Sequence, residues 1–212
     1  EDFLSGIGSV IDAIESEYHS VEPRMKITVT ERELPAGVME GKSQEKLSRC
    51  IYAALNGVYR MSPEIEGLVE TSNNIAKVQV KSGNIEIRCL TRSSVETSKM
   101  DLATSLRSAF ELGGLEVEFS GSYPGWEPNR NSEIVQILDE LYQKLNKENP
   151  EIAACHAGLE CGIIGKNYPK LDMVSFGPTI RGAHSPDERA SISSAQKYWK
   201  FVLEILKNIP KK

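Results

Sequence analysis

Three features of the sequence predict an α+β portion followed by an α/β portion. Helical and two-residue hydrophobic periods alternate over residues 25–120, a Gly/Pro-rich break occupies 121–131, and helices interleaved with short apolar runs follow. Periods of 3.6 and 2 mark an amphipathic helix and a half-buried strand. Over 25–120 they fall in the order β-α-β-β-α-β, the split, ferredoxin-like plan.

Each element has its own warrant. Phe3, Ile7, Val10, Ile14 and Tyr18 are three or four apart, which predicts a helix over 3–18. Met25, Ile27 and Val29 alternate with polar residues and predict a strand. Ser43 is placed to cap a helix carrying Leu47, Cys50, Ile51, Ala54, Leu55 and Val58 on one face. Strands are expected at about 68–80 and 85–91, joined by Lys81-Ser82-Gly83-Asn84, whose glycine suits a hairpin. A helix with Leu102, Leu106, Ala109 and Phe110 on one side should stop at Gly113-Gly114, and LEVEFS (115–120) alternates again. Beyond the break come a helix over 132–147, strands at about 151–155 and 171–177, and a last helix through Tyr198, Phe201, Val202, Ile205 and Leu206.

Bulk properties narrow the function. A net charge of −5 argues against non-specific nucleic-acid binding, which needs a basic field. No apolar run approaches the roughly 20 residues that span a bilayer. Four cysteines without a CxxC spacing point to reduced, mostly buried thiols in a cytoplasmic protein rather than a disulfide framework or zinc ribbon. The chain opens EDFLSG, with neither an initiator Met nor a signal-type apolar segment, so a preceding segment is expected.

Two loops carry the candidate chemistry. HAGLECG (156–162) and GPTIRGAHSPDER (177–189) both follow apolar runs. In open α/β sheets ligands bind beyond the carboxyl ends of strands. If the two runs are neighbours, His156, Glu160 and His184 converge, and imidazole with carboxylate is a zinc-binding set. The same residues also suit plainer roles: His184 as a hydrogen-bonded loop histidine, Glu160 as a solvated acid. Cys161 beside His184 would be a nucleophile with its base, but nothing marks that thiol as activated. Asp187 and Glu188 precede the last helix, where negative charge is favoured.

YPGWEPN, HAGLECG and GPTIRGAHSPDER, in that order and spacing, resemble the C-terminal part of the Xaa-His (aminoacyl-histidine) dipeptidases. These belong to a zinc-dependent dipeptidase, carboxypeptidase and aminoacylase superfamily. GLVETSNNIAKV (67–78) resembles a strand of that family's lid domain. The resemblance implies a lid and dimerisation domain over 1–121, N-terminally incomplete, and the C-terminal segment of an α/β catalytic domain over 122–212. It implies two divalent metal ions, zinc foremost, bridged by a water. It makes His184 a metal ligand and His156, Glu160, Asn74 and Arg92 substrate-binding residues. A dipeptide would be the substrate, and lids would pair two subunits. The family's His-x-Asp pair, adjacent Glu-Glu pair and further Asp are absent here, so the general base and most ligands are expected outside this chain, and the segment alone is expected to be inactive. The rival reading is a stand-alone ferredoxin-like module for regulation or dimerisation that binds an amino acid; fold alone permits it.

Overall fold

A computed structural model of the chain describes residues 2–157 and 159–209; Gly158 of the HAGLECG stretch lies outside the described residues. Two compact units are present, Glu1–Glu40 and Gly41–Lys212. In the first, α1 (Asp2–Tyr18) matches the expected helix and is followed by turns in which Val21 and Glu22 N–H groups donate to the Tyr18 carbonyl. The Ile27 N–H donates to Glu15 Oε1 at 2.7 Å, tying the following stretch to the helix. The strand expected from Met25 forms no ladder, although Met25 and Ile27 are half-buried as the alternation requires.

The second unit begins with α2 (Gly41–Ala53). This helix starts two residues before Ser43, the expected cap, and ends well before Val58. Gly57, at φ 113, turns the chain instead into β1 (Gly57–Met61), a strand the periodicity does not reveal. β2 (Val69–Lys81) and β3 (Asn84–Ser93) then form the expected hairpin, and β1-β2-β3 make one antiparallel sheet. Lys81 pairs with Asn84, so the loop is the two residues Ser82 and Gly83, both at positive φ (51° and 78°). That geometry is a type I′ turn, whose twist matches the flanking strands.

α3 (Glu96–Leu112) crosses one face of the sheet. Gly114, at φ 70, lets the chain leave α3, while the Leu115 N–H returns to the Phe110 carbonyl at 3.0 Å. The core lies here: Cys50 and Ala54 of α2 pack with Leu102, Leu106 and Phe110 of α3, lined by Ile75, Ile87, Leu115 and Val117. Residues 115–120 keep their alternation, with Leu115 and Val117 half-buried and Glu116 and Glu118 exposed, but carry no ladder.

Beyond the break are α4 (Glu133–Asn146), α5 (Glu160–Asn167), β4 (Ile180–Arg181), β5 (Arg189–Ala190) and α6 (Ile192–Lys207). Phe201 of α6 meets Tyr142 of α4 and Phe176 edge-on, with ring centroids 5.3 and 5.4 Å apart. The apolar runs at 151–155 and 171–177 were expected as strands; among the described residues they form no ladder. An apolar run signals a buried segment, but a strand also needs a partner to bond with. The expected mixture of helices and sheet, α+β then α/β, stands at the level of class; the ladders that form among the described residues are antiparallel. Of the cysteines only Cys50 is buried; Cys161 is half-buried and Cys89 and Cys155 are exposed, against the expectation of mostly buried thiols.

Candidate functional site

The hairpin β2–β3 has two chemically distinct faces. In an antiparallel ladder, directly paired residues share a face and neighbours along the strand alternate. Thr71 pairs with Ser93 and Asn73 with Thr91, and these share the inward face. Thr71 is fully buried, and its hydroxyl sits 2.7 Å from Ser93 Oγ and 2.8 Å from Ser98 Oγ. Asn73 Nδ2 donates to the Leu55 carbonyl at 2.7 Å, and Thr91 Oγ1 donates to Asn73 Oδ1 at 3.0 Å. The polar run ETSNN is therefore half structural: Thr71 ties the strand to α3 through Ser98, and Asn73 ties it to Leu55 beyond the end of α2.

Ser72 pairs with Arg92 and Asn74 with Leu90 on the opposite face. That places two of the expected substrate-binding residues, the exposed Asn74 and Arg92, around Ser72. A third arrives from 84 residues away: His156 Nε2 lies 2.8 Å from Ser72 Oγ. Burial, and then the positive charge of Arg92, push the His156 imidazole below its ordinary value, so it is held neutral. His156, Asn74 and Arg92 thus gather on one sheet face, joined through a serine that motif reading passed over. The signal for Ser72 was the two-residue period itself, which puts it in line with Asn74.

Glu160 is exposed and begins α5, a helix within the stretch expected to be a loop. Its carboxylate stands in the first turn, where the helix dipole favours a negative charge. α5 seats against the chain before it at a glycine: a Cβ on Gly162 would come 2.5 Å from the Pro124 carbonyl oxygen. Gly125 in turn lies against the end of β3, where a Cβ would be 2.2 Å from Ser94 O. Lys99 Nζ, on a buried side chain, donates to the Tyr123 carbonyl at 2.6 Å and pairs with Glu96 at 2.7 Å. The 121–131 break is therefore clamped on both sides. Next to it, Trp126, Cys155, Leu159, Cys161 and Met173 line a cleft of about 1260 Å³.

His184 stands at the exposed tip of the β4–β5 hairpin at φ 64, the left-handed region. Gly182 (φ 64) opens the turn, and the Ser185 hydroxyl donates to its carbonyl at 2.7 Å. The His184 N–H donates to Glu188 Oε2 at 2.7 Å. Helix capping, the role expected of Asp187 and Glu188, falls instead to Ser191, whose Oγ accepts from the Ser194 N–H at 3.4 Å. No group of three or more His, Cys, Asp or Glu side chains among the described residues is placed to hold a metal. His156, Glu160 and His184 do not close into a cluster: one binds the sheet, one opens a helix, one sits on a hairpin tip. A two-ion centre needs about four ligands per ion. His184 fits as one donor to such a centre, and the described residues do not build the rest.

The model of Peptidase family M20/M25/M40 matches residues 4–208 of the chain. The cytosol non-specific dipeptidase of Escherichia coli (strain K12) is 45% identical over 171 residues, 81% of this chain and 35% of that protein. The succinyl-diaminopimelate desuccinylase of Sulfurovum sp. (strain NBC37-1) is 23% identical over 128 residues, 60% of this chain and 34% of that protein. The crystal structure of aminoacylhistidine dipeptidase from Vibrio alginolyticus superposes on 100% of this chain and 43% of its own, at a TM-score of 0.82 and 37% identity. The chain spans about a third of the length of the curated relatives it matches.

Proposed function

The chain belongs to Peptidase family M20/M25/M40, and we propose from that premise that it is a functional segment of a metal-dependent dipeptidase cleaving Xaa-His type dipeptides. The carrying observation is the 45% identity to the cytosol non-specific dipeptidase. In this reading residues 1–121 form the lid and 122–212 the C-terminal part of the catalytic domain. Activity requires the further residues that such relatives possess, because this chain offers one imidazole to a centre of two divalent ions. Those ions, zinc foremost, supply Lewis-acid polarisation of the scissile carbonyl. His184 is this chain's ligand.

The remaining roles belong to the sheet face. Arg92 suits a dipeptide's terminal carboxylate, which a guanidinium grips with two parallel hydrogen bonds. Asn74, on the same face, offers an amide that both donates and accepts. His156 and Glu160 border the bound peptide from the HAGLECG side. A cytoplasmic location is part of this reading, supported by the name of the cytosol non-specific dipeptidase. Lid-to-lid pairing into a homodimer completes the reading.

The test combines this segment with the metal-binding portion of its relatives. His184→Ala should lower dipeptide hydrolysis by about 10²-fold or more and weaken metal retention. Turnover and metal content equal to wild type would exclude His184 as a ligand.

A further inference from the structure

We propose that Ser72 is a positioning residue: its hydroxyl donates to His156 Nε2, fixing the imidazole as the Nδ1–H tautomer across the gap between β2 and the HAGLECG loop. The inference rests on the reading of His156 as a residue of the substrate pocket, and adds how that ring is aimed.

Three observations carry it. First, Ser72 is aimed by its neighbours. Thr71 and Asn73, one position to either side, are both buried and hydrogen-bonded on the opposite face. Successive side chains on a strand point to opposite faces, so pinning the flanking pair inward fixes Ser72 outward. Second, the contact is 2.8 Å long and joins residues 84 apart in sequence, which ties the loop to the sheet. Third, the surroundings favour a neutral ring. Arg92, paired across the ladder from Ser72, opposes a positive imidazole, and burial opposes it further. A neutral ring has one N–H. Among the described residues the Ser72 hydroxyl has His156 as its hydrogen-bond partner. With Nε2 as acceptor that hydrogen is used within the protein and the ring proton stands on Nδ1, the arrangement we assign. A ring bonded in this way presents Nδ1–H as a donor, suited to a carbonyl or carboxylate oxygen and unsuited to a cation. His156 would thus contact an acceptor group of the ligand and would not bind a metal through Nδ1 without losing that proton.

Nitrogen-15 spectroscopy of the imidazoles in the 212-residue chain tests this directly, because the chain has only three histidines and a His156→Gln variant assigns the signal. The expected result at neutral pH is a His156 signal of the Nδ1–H form. Ser72→Ala should convert it to the Nε2–H form or to an averaged mixture and move its titration midpoint upward. Ser72→Thr, which keeps the hydroxyl, should preserve the wild-type pattern. A wild-type His156 already in the Nε2–H form overturns the proposal without recourse to any variant. So does a Ser72→Ala protein with tautomer and midpoint unchanged. Neither result bears on dipeptide hydrolysis, and an enzyme found inactive on dipeptides would leave the tautomer reading standing.

Discussion

Replacing Gly125 by alanine would set a methyl carbon 2.2 Å from the Ser94 carbonyl oxygen, 2.5 Å from the Ser94 carbonyl carbon and 2.7 Å from Ser93 O. Ordinary carbon contacts begin near 3.4 Å, so the two chain segments must separate by about 1.2 Å. Every obstructing atom is backbone, so no side chain can rotate out of the way. On the other side Gly162 presses on Pro124 O, and Lys99 holds the Tyr123 carbonyl, which blocks retreat. Overpacking in a closed site costs about 1–3 kcal/mol, and this geometry belongs at the upper end. For a chain of this length each kcal/mol moves the melting temperature by roughly 2–4 °C, so a fall of roughly 4–12 °C is expected. Hydrogen exchange should localise it: the Ser94 amide, bonded to the Glu70 carbonyl at 3.1 Å, should lose protection first. Gly6→Ala is the control, since a Cβ there meets nothing within 4 Å and the residue lies inside α1. It should leave stability unchanged or raise it by up to about 1 kcal/mol. A Gly125→Ala protein that melts within a degree of wild type with Ser94 still protected would refute the clamp.

Two further outcomes follow from other contacts. Asp172 accepts from Ser132 Oγ at 2.9 Å and the Ile134 N–H at 3.1 Å, so it braces the first turn of α4; partial desolvation raises its carboxyl, but these bonds prevail and hold it below the usual range. Asp172→Ala should destabilise by about 1–3 kcal/mol, with faster exchange confined to the start of α4, and unaltered exchange there would exclude the brace. His156 titrates below its ordinary 6.5 in the folded chain, so the unfolded chain binds more protons as pH falls through that window. Its contribution should be complete above about pH 6.5 and lost as pH falls through the folded value. Melting curves between pH 7.5 and 5 should therefore fall more steeply for wild type than for His156→Gln, and parallel curves would contradict the assignment.

Much of this architecture is written in local periodicity. The apolar spacing of Phe3 to Tyr18 locates α1, and the alternation flanking Ser82-Gly83 locates the hairpin to within a residue or two. Features that depend on partners are less visible. β1 begins at a glycine in the left-handed region and all its residues are exposed, so neither period marks it. α5 is eight residues long and contains Gly162 and Gly165, too short and too glycine-rich for a helical stripe. Gly162 serves a backbone crossing that the local sequence does not encode. The site divides in the same way: the residue types Asn74, Arg92 and His156 stand out by motif, whereas their meeting depends on Ser72, an ordinary serine until the register is known.

The hairpin tip shows why chemistry at one residue can depend on an acid four positions later. A non-glycine residue in the left-handed region costs about 1–2 kcal/mol, and His184 adopts it in a loop open to water. Such a conformation persists only where surrounding contacts over-determine it. Here the Glu188 carboxylate accepts the His184 N–H, while the Ser185 N–H and hydroxyl both return to the Gly182 carbonyl. A hydrogen bond to a charged group contributes less in the open than when sheltered, so this exposed contact offsets part of the strain and the Ser185 bonds share in holding the turn. With Ser191 capping α6, Glu188 is not required at the helix start. Its position is instead accounted for by the backbone it holds, and through that backbone by the direction in which the imidazole is presented.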